Sequence, residues 1–360
     1  MYKGYLALVL HAHLPFVRHP EYSDFLEEDW LYEAITETYI PLLLMFERLR
    51  NDGVPFKLTM SLTPPLLCML TDPVLQMRYT RRIETLVELA EKELVRTKDH
   101  GHFQYLARHY HQQFTEIRDY WRSWDGNIVN AFRKFMQTGD LDIITCGATH
   151  GYLPLMRKTP EAVNAQIAVA VDTHQRLLGT SPTGIWLPEC GYYPGVDQVL
   201  ARHGIRYFVM DAHGLLFAHP RPRYGNHAPI FCAGSGVAAF GRDIETSVQV
   251  WSKDSGYPGD PMYREFYRDI GYDLPFEYIG PYVQPDGKRK NVGIKYHRIT
   301  GKTDQKELYD PYWARERAAV HAGNFMFNRE RQIEYLNASM GRPPIVLAPY
   351  DAELFGHWWY

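Results

Sequence analysis

Cysteine is scarce in this sequence and badly placed for pairing. The 360 residues include four cysteines, Cys68, Cys146, Cys190 and Cys232, and none of them forms a C-x-x-C pair. That argues against a disulfide frame or a zinc knot and suits reduced thiols in a cytoplasmic protein. Long apolar runs are missing as well. The N-terminal run YLALVL, residues 5–10, is too short to cross a membrane and leads into His11 rather than a small-residue cleavage site, so neither a membrane span nor a signal peptide is expected. Charge of one sign is also lacking. A net charge of −3 gives no reason to expect a nucleic acid or an anionic membrane as partner. We find no internal repeat and no low-complexity tract.

What is present fits a soluble globular protein: 45% hydrophobic and 22% charged residues, in a chain long enough for one large domain or two ordinary ones. Aromatic residues reach 14%, with 26 Tyr and 8 Trp. Such rings offer an apolar face and a polar edge, which suits sugar rings as well as cores and interfaces.

Short β-rich runs alternate with long helical patterns. Strands are predicted at residues 5–10, 56–61, 141–146, 184–187, 207–210, 247–251 and 345–348. Helices are predicted at 31–50, closed by Asn51-Asp52-Gly53; at 74–96; at 103–137; and at 160–178, opened by Thr159 as N-cap and closed by Gly179. This alternation implies βαβ units and a parallel sheet, an α/β fold. Residues 213–311 break the rhythm with Gly, Pro, Tyr and charge, and their aromatic density argues for an ordered, inserted region covering a cleft rather than disorder.

Most predicted strands end in polar residues of catalytic type. The first runs into His11 and His13, whose i, i+2 spacing aims both rings to one side; others lead to His150, to Glu189, to Asp211 and His213, and to Asp351. In a parallel barrel these ends gather on the C-terminal face, where active sites sit. Each residue also has a plain reading. His11 and His13 could be a structural pair or metal ligands, Glu189 and Asp351 could cap the helices that follow them, and Cys190 could be a small apolar filler rather than a reactive thiol. Five strand ends of this kind together favour function. Two carboxylates among histidines and aromatic rings suit acid/base work on a glycosidic bond. A gap of about 5–5.5 Å between them gives retention, and one of about 6.5–9.5 Å gives inversion.

The motifs HAHLPF, CGATHGYLPL, GIWLPECGY and APYDAELFGHWW, in that order, resemble those of glycoside hydrolase family 57, and among its members the 1,4-α-glucan branching enzymes. The resemblance runs along the whole chain. It implies a distorted (β/α)7 barrel, retention without a metal or other cofactor, and α-glucans such as amylose, glycogen or starch-like chains as partners. By motif, Glu189 matches the nucleophile and Asp351 the general acid/base, while His11, His13 and His150 match substrate-contacting positions. Trp186, Asp211, His213 and Trp358 are expected to touch substrate too, and Trp358 and Trp359 to help desolvate Asp351. The stretch GVAAFGRD matches a mobile loop over the cleft, and Arg264 matches a glucan-binding arginine whose plain alternative is a surface ion pair.

The resemblance thus implies one catalytic barrel over residues 1–360, with 213–311 inserted. Family members of this type continue into a helical C-terminal region, whereas this sequence ends at Trp358-Trp359-Tyr360. A truncated chain with exposed apolar surface is therefore expected. Cleavage of α-1,4 bonds with rejoining through α-1,6 bonds is the leading expectation. An α-amylase or 4-α-glucanotransferase is the nearest rival. A metal-dependent carbohydrate deacetylase or mannosidase-like enzyme, or a non-catalytic glucan-binding protein, are more distant ones.

Overall fold

The structure, a computed structural model, describes residues 2–283 and 286–357. Eight strands are present among these residues: β1 (Tyr5–Ala12), β2 (Leu58–Leu62), β3 (Leu141–Ile144), β4 (Gly184–Trp186), β5 (Tyr207–Met210), β6 (Ile230–Phe231), β7 (Ala238–Gly241) and β8 (Ile345–Asp351). They form two sheets, ordered β3-β2-β1-β8 and β4-β5-β7-β6. Every pairing is parallel except that of β6 with β7. The fold is α/β, as the alternation of strands and helices predicts.

The two sheets touch on two sides. A parallel bridge joins Thr145, just past β3, to Ile185 in β4, with Trp186 N–H donating to the Thr145 carbonyl at 2.9 Å. On the other side the Asp243 N–H, just past β7, donates to the Leu347 carbonyl of β8 at 2.8 Å. Between the sheets lies a small apolar cluster to which β1 gives Val9, β3 Ile144, β4 Trp186, β5 Val209 and β8 Leu347, with Phe240 of β7 packed against it. Strands that bury both faces read as nearly continuous apolar runs, which is how IVLA and GIWL read in this sequence. The larger core lies outside the first sheet, where helices such as Pro73–Arg96 and Gly101–Ser123 pack their apolar stripes.

The long helical patterns hold with local changes. Residues 28–51 run as one helical rod whose middle, Ile35–Tyr39, is a π segment. The predicted helix 103–137 is two helices, Gly101–Ser123 and Val129–Gln137, parted by a turn in which Asp125 and Gly126 take φ of 49° and 74°. Helix Pro160–Leu178 ends on left-handed Gly179 as expected, but the Thr159 side chain makes no capping hydrogen bond.

Three expectations are overturned. Residues 247–251 lie in a helix, Ile244–Trp251, because Asp243 caps it by accepting the Thr246 N–H at 2.8 Å. GVAAFGRD is not a loop over the cleft. Its centre is β7, parallel to β5 with Ala238 beside Tyr207, so the turn before β7 lies at the N-terminal ends of the strands, away from the ends that lead to Glu189 and Asp351. Residues 213–311 are accordingly not one insertion, since they supply a sheet strand. Their tyrosines are anchored on the helix Pro73–Arg96: Tyr278 and Tyr296 donate to Glu93 and Tyr282 to Glu88, at 2.7–2.8 Å. The sequence pattern also missed a 30-residue helix, Pro311–Met340. Among the described residues no helix is long and apolar enough to cross a membrane.

Candidate active site

Parallel pairing of β1 with β2 and β8 sets the site's floor. His11 stands beside Ser61 on one side and Asp351 on the other in strand register. Its Nδ1 lies 3.1 Å from Ser61 Oγ and its Nε2 3.2 Å from His150 Nε2. His13, two residues on and so on the same side, lies 3.2 Å from Thr63 Oγ1 through its Nδ1 and stacks on the His150 ring at 3.7 Å. The pair expected from H-x-H thus has a matching pair, Ser61 and Thr63, on the neighbouring strand. That partnership was readable in MSLT once the two strands were aligned.

The rings are neutral at physiological pH. Burial pulls His11 well below the ordinary histidine value, with His150, His13 and Arg242 adding repulsion. Burial first and His150 second bring His13 down to about 3, and burial also lowers His150. Neutral imidazoles of this kind each offer one donor and one acceptor, a set that suits hydroxyl groups.

Glu189 follows β4 through Leu187-Pro188 on a single 3₁₀ turn. Glu189, Cys190 and His150 all take left-handed backbone conformations, at φ of 51°, 54° and 55°, and such residues cost about 1–3 kcal/mol each. The strain is held by close packing of two motifs: a Cβ on Gly147 would sit 3.0 Å from Pro188, and one on Gly191 would collide with the Tyr152 ring. The turn lifts the Glu189 side chain to 74% exposure, with Oε1 3.9 Å from His150 Nδ1.

Asp351 ends β8 with its carboxyl open to solvent, yet protein surrounds it closely enough that desolvation raises its pKa. The Arg242 cation opposes that rise and the Glu189 charge adds to it, so the two carboxylates feel one another. Arg242 follows β7, with its Nη2 3.6 Å from Cys190 Sγ. It was not singled out within GVAAFGRD, since only the strand assignment brings it here. Glu353 is a further residue the sequence left unmarked. It accepts hydrogen bonds from Tyr39 Oη and, at 3.2 Å, from His13 N–H, and burial pushes its carboxyl up to about 8.

The remaining expected residues divide. Asp211 and His213 follow β5 as an exposed pair 3.4 Å apart, and Asp211 N–H donates to the Cys190 carbonyl at 3.4 Å. Trp186 does not face the cleft: it is 3% exposed, and its ring face is taken by His11, stacked at 4.5 Å. Arg264 is neither at the cleft nor in a surface ion pair; it is buried, with Nη2 3.4 Å from Glu37. Trp358 and Trp359 lie outside the described residues. Cys190 is buried, as a filler should be. A hollow of about 530 Å³ opens beside the floor, lined by His13, His150, Phe16, Pro64 and Thr173 among others. A second hollow of about 430 Å³, between Glu37, His109 and Arg315, includes none of these site residues. Among the described residues His11, Cys146 and His150 bring ligand atoms within 4.8 Å of one another, a grouping different from the His11 and His13 pair read as possible metal ligands.

The chain is 38% identical to the 1,4-α-glucan branching enzyme TK1436 of Thermococcus kodakarensis over 99% of its own length and 54% of that protein's, so it spans about half of that relative. A probable branching enzyme of Mycobacterium tuberculosis, Rv3031, is 27% identical over 99% of this chain and 65% of that protein. Among solved structures, the α-amylase AmyC of Thermotoga maritima matches with a TM-score of 0.95 and 52% identity, covering 99% of this chain and 68% of that one. The Thermococcus branching enzyme matches with a TM-score of 0.85 and 37% identity, covering 99% and 66%. The model of glycosyl hydrolase family 57 matches residues 7–358, and the chain belongs to that family.

Proposed function

We propose that this chain is a retaining glycosidase acting on α-1,4-glucans, with Glu189 as nucleophile and Asp351 as general acid/base, and that it transfers the cleaved piece to a glucan 6-hydroxyl. The observation that carries this reading is the contrast between the two carboxylates. Both stand at strand ends over a floor of neutral imidazoles, but desolvation and the Glu189 charge favour the protonated form of Asp351, while Glu189 is lifted into solvent beside His150. Environments that push two carboxyl groups apart are how one site holds an acid and a nucleophile together. The underlying architecture is read as one distorted barrel of seven parallel strands, β8-β1-β2-β3-β4-β5-β7, supported by the contacts that join the two sheets and by the apolar cluster they enclose. Residues 252–310 are read as an insertion fastened to the outer helices.

In the first step Asp351 gives its proton to the glycosidic oxygen as the C1–O bond breaks, and a Glu189 oxygen bonds to C1. Asp351, now ionised, takes the proton of the incoming hydroxyl as that oxygen displaces Glu189. Two inversions give net retention. His11, His13 and His150 hold sugar hydroxyls, and Arg242 keeps Asp351 acidic enough to release its proton.

Hydrolysis is a second reading with its own support. Likeness to the α-amylase AmyC is higher in identity than likeness to the branching enzymes, and the exposure of Glu189 leaves room for water to reach a glycosyl ester. Amylose distinguishes the two outcomes. New α-1,6 linkages counted by proton NMR, well in excess of new reducing ends and absent with Glu189→Gln, are expected for transfer. Reducing ends without branches would make the chain a hydrolase, and neither product would refute the glycosidase reading.

A further inference from the structure

We infer that His11, Cys146 and His150 form an inhibitory site for a borderline-to-soft transition-metal ion, of which Zn²⁺ is the simplest example. Their ligand atoms lie within 4.8 Å of one another. Two imidazoles and one sulfur are a donor set that selects such ions over Mg²⁺ or Ca²⁺. The two Nε2 atoms lie 3.2 Å apart. That is close to the roughly 3.3 Å separating two nitrogen ligands, each about 2.05 Å from a tetrahedral zinc. The sulfur has to close in by a side-chain adjustment.

The surroundings hold the far nitrogen of His11 and bring a carboxylate near that of His150. Ser61 Oγ donates to the Thr145 carbonyl at 3.4 Å and therefore accepts from His11 Nδ1–H, which leaves the His11 Nε2 lone pair facing His150. His150 Nδ1 lies 3.9 Å from the Glu189 carboxylate, so a small side-chain shift is needed for that carboxylate to accept its proton. A carboxylate on the far nitrogen is the usual support for a metal-bound imidazole. An ion reaches the group through the hollow beside His13 and His150, since the His150 side chain is 12% exposed.

Binding balances simply. Cys146 loses its thiol proton to solvent as the metal–sulfur bond forms. His150 gives up its proton at Nε2 and takes one at Nδ1, on the Glu189 side. The ion then occupies the nitrogens assigned above to sugar hydroxyls, and the Nδ1–H engages the nucleophile. Inhibition rather than catalysis is the consequence, and only this consequence rests on the proposed function.

The test uses the whole chain, dialysed against chelator and titrated with Co²⁺ as a spectroscopic probe. One equivalent with a thiolate-to-cobalt charge-transfer band, displaced by Zn²⁺, is expected. Cys146→Ala should lose the band and bind Zn²⁺ more weakly by more than about tenfold, while Cys68→Ala and Cys232→Ala keep it. Zn²⁺ should suppress turnover of amylose reversibly, and Cys146→Ala should resist. Absence of the band, or its survival in Cys146→Ala, would overturn the site. Should that variant fail to fold, X-ray absorption on the Zn²⁺-loaded natural chain decides: a shell of one sulfur and two imidazoles supports the site, and a sulfur-free shell refutes it. An intact band in a chain without turnover would count against the glucan reading and not against the metal site.

Discussion

At the scale of single residues the account turns on charge. Glu189→Gln should lower turnover on amylose by roughly three orders of magnitude or more, the scale on which loss of a nucleophile is felt, while the thermal midpoint changes little because the side chain is exposed. Arg242→Leu removes the cation that holds Asp351 down, so Asp351 should keep its proton to higher pH. The basic limb of the pH profile of kcat/KM should therefore move upward, and a downward move would contradict the assignment of Asp351 as the acid. Glu353 supplies a stability test. Its folded pKa of about 8 lies above the ordinary 4.5, so the folded state keeps a proton that the unfolded chain releases, and stability is lost as pH rises from about 4.5 to about 8. Glu353→Gln mimics the protonated form. Its advantage in thermal midpoint should be absent below about pH 4.5, open above that and level off past pH 8. His11, His13, His150, Glu189 and Asp351 were legible because polar residues ending apolar runs stand out. Arg242 was not, since its place depends on which strand β7 joins, and Trp186 misled because an aromatic ring beside a carboxylate gives no sign of whether its face is already taken.

At the scale of elements, the loop after β1 that carries Phe16 to the cleft is fastened by one buried ion pair. Arg78 Nη1, on the helix Pro73–Arg96, donates to both oxygens of Glu28 at 2.6 and 2.7 Å, and its Nη2 reaches the carbonyls of His19 and Tyr22. Arg78→Leu leaves the Glu28 charge buried without that partner and should cost about 3–5 kcal/mol in urea unfolding. A loss below 1 kcal/mol would show that the loop is held otherwise. Helices with one apolar stripe and clear caps were legible from sequence. The helix Pro311–Met340 was not, although Asp310, Pro311 and left-handed Gly341 mark its ends. Its buried residues are only Pro311, Ala314, His321 and Arg329, so there is no stripe for periodicity to find. β7 escaped for a related reason: four small or aromatic residues among glycines become a strand only by pairing with β5.

At the scale of the whole molecule, the α/β class followed from the alternation of runs, while the order of strands did not, because register and closure arise from pairings far apart in the chain. The helix Pro311–Met340 presents Tyr312, Trp313, Val320, Met326, Phe327 and Tyr335 to solvent. Six exposed large apolar side chains on one helix should bind a hydrophobic dye and promote concentration-dependent association, and Val320→Lys with Phe327→Lys should reduce both in light scattering. The central claim, that Glu189 attacks the sugar, is tested most directly by trapping. The chain is incubated with a fluorinated α-maltosyl fluoride that forms the glycosyl ester faster than it is released, then digested and mapped by mass spectrometry. One glycosyl adduct on the peptide carrying Glu189, absent in Glu189→Gln, is the expected result; an adduct on a different carboxylate would contradict it.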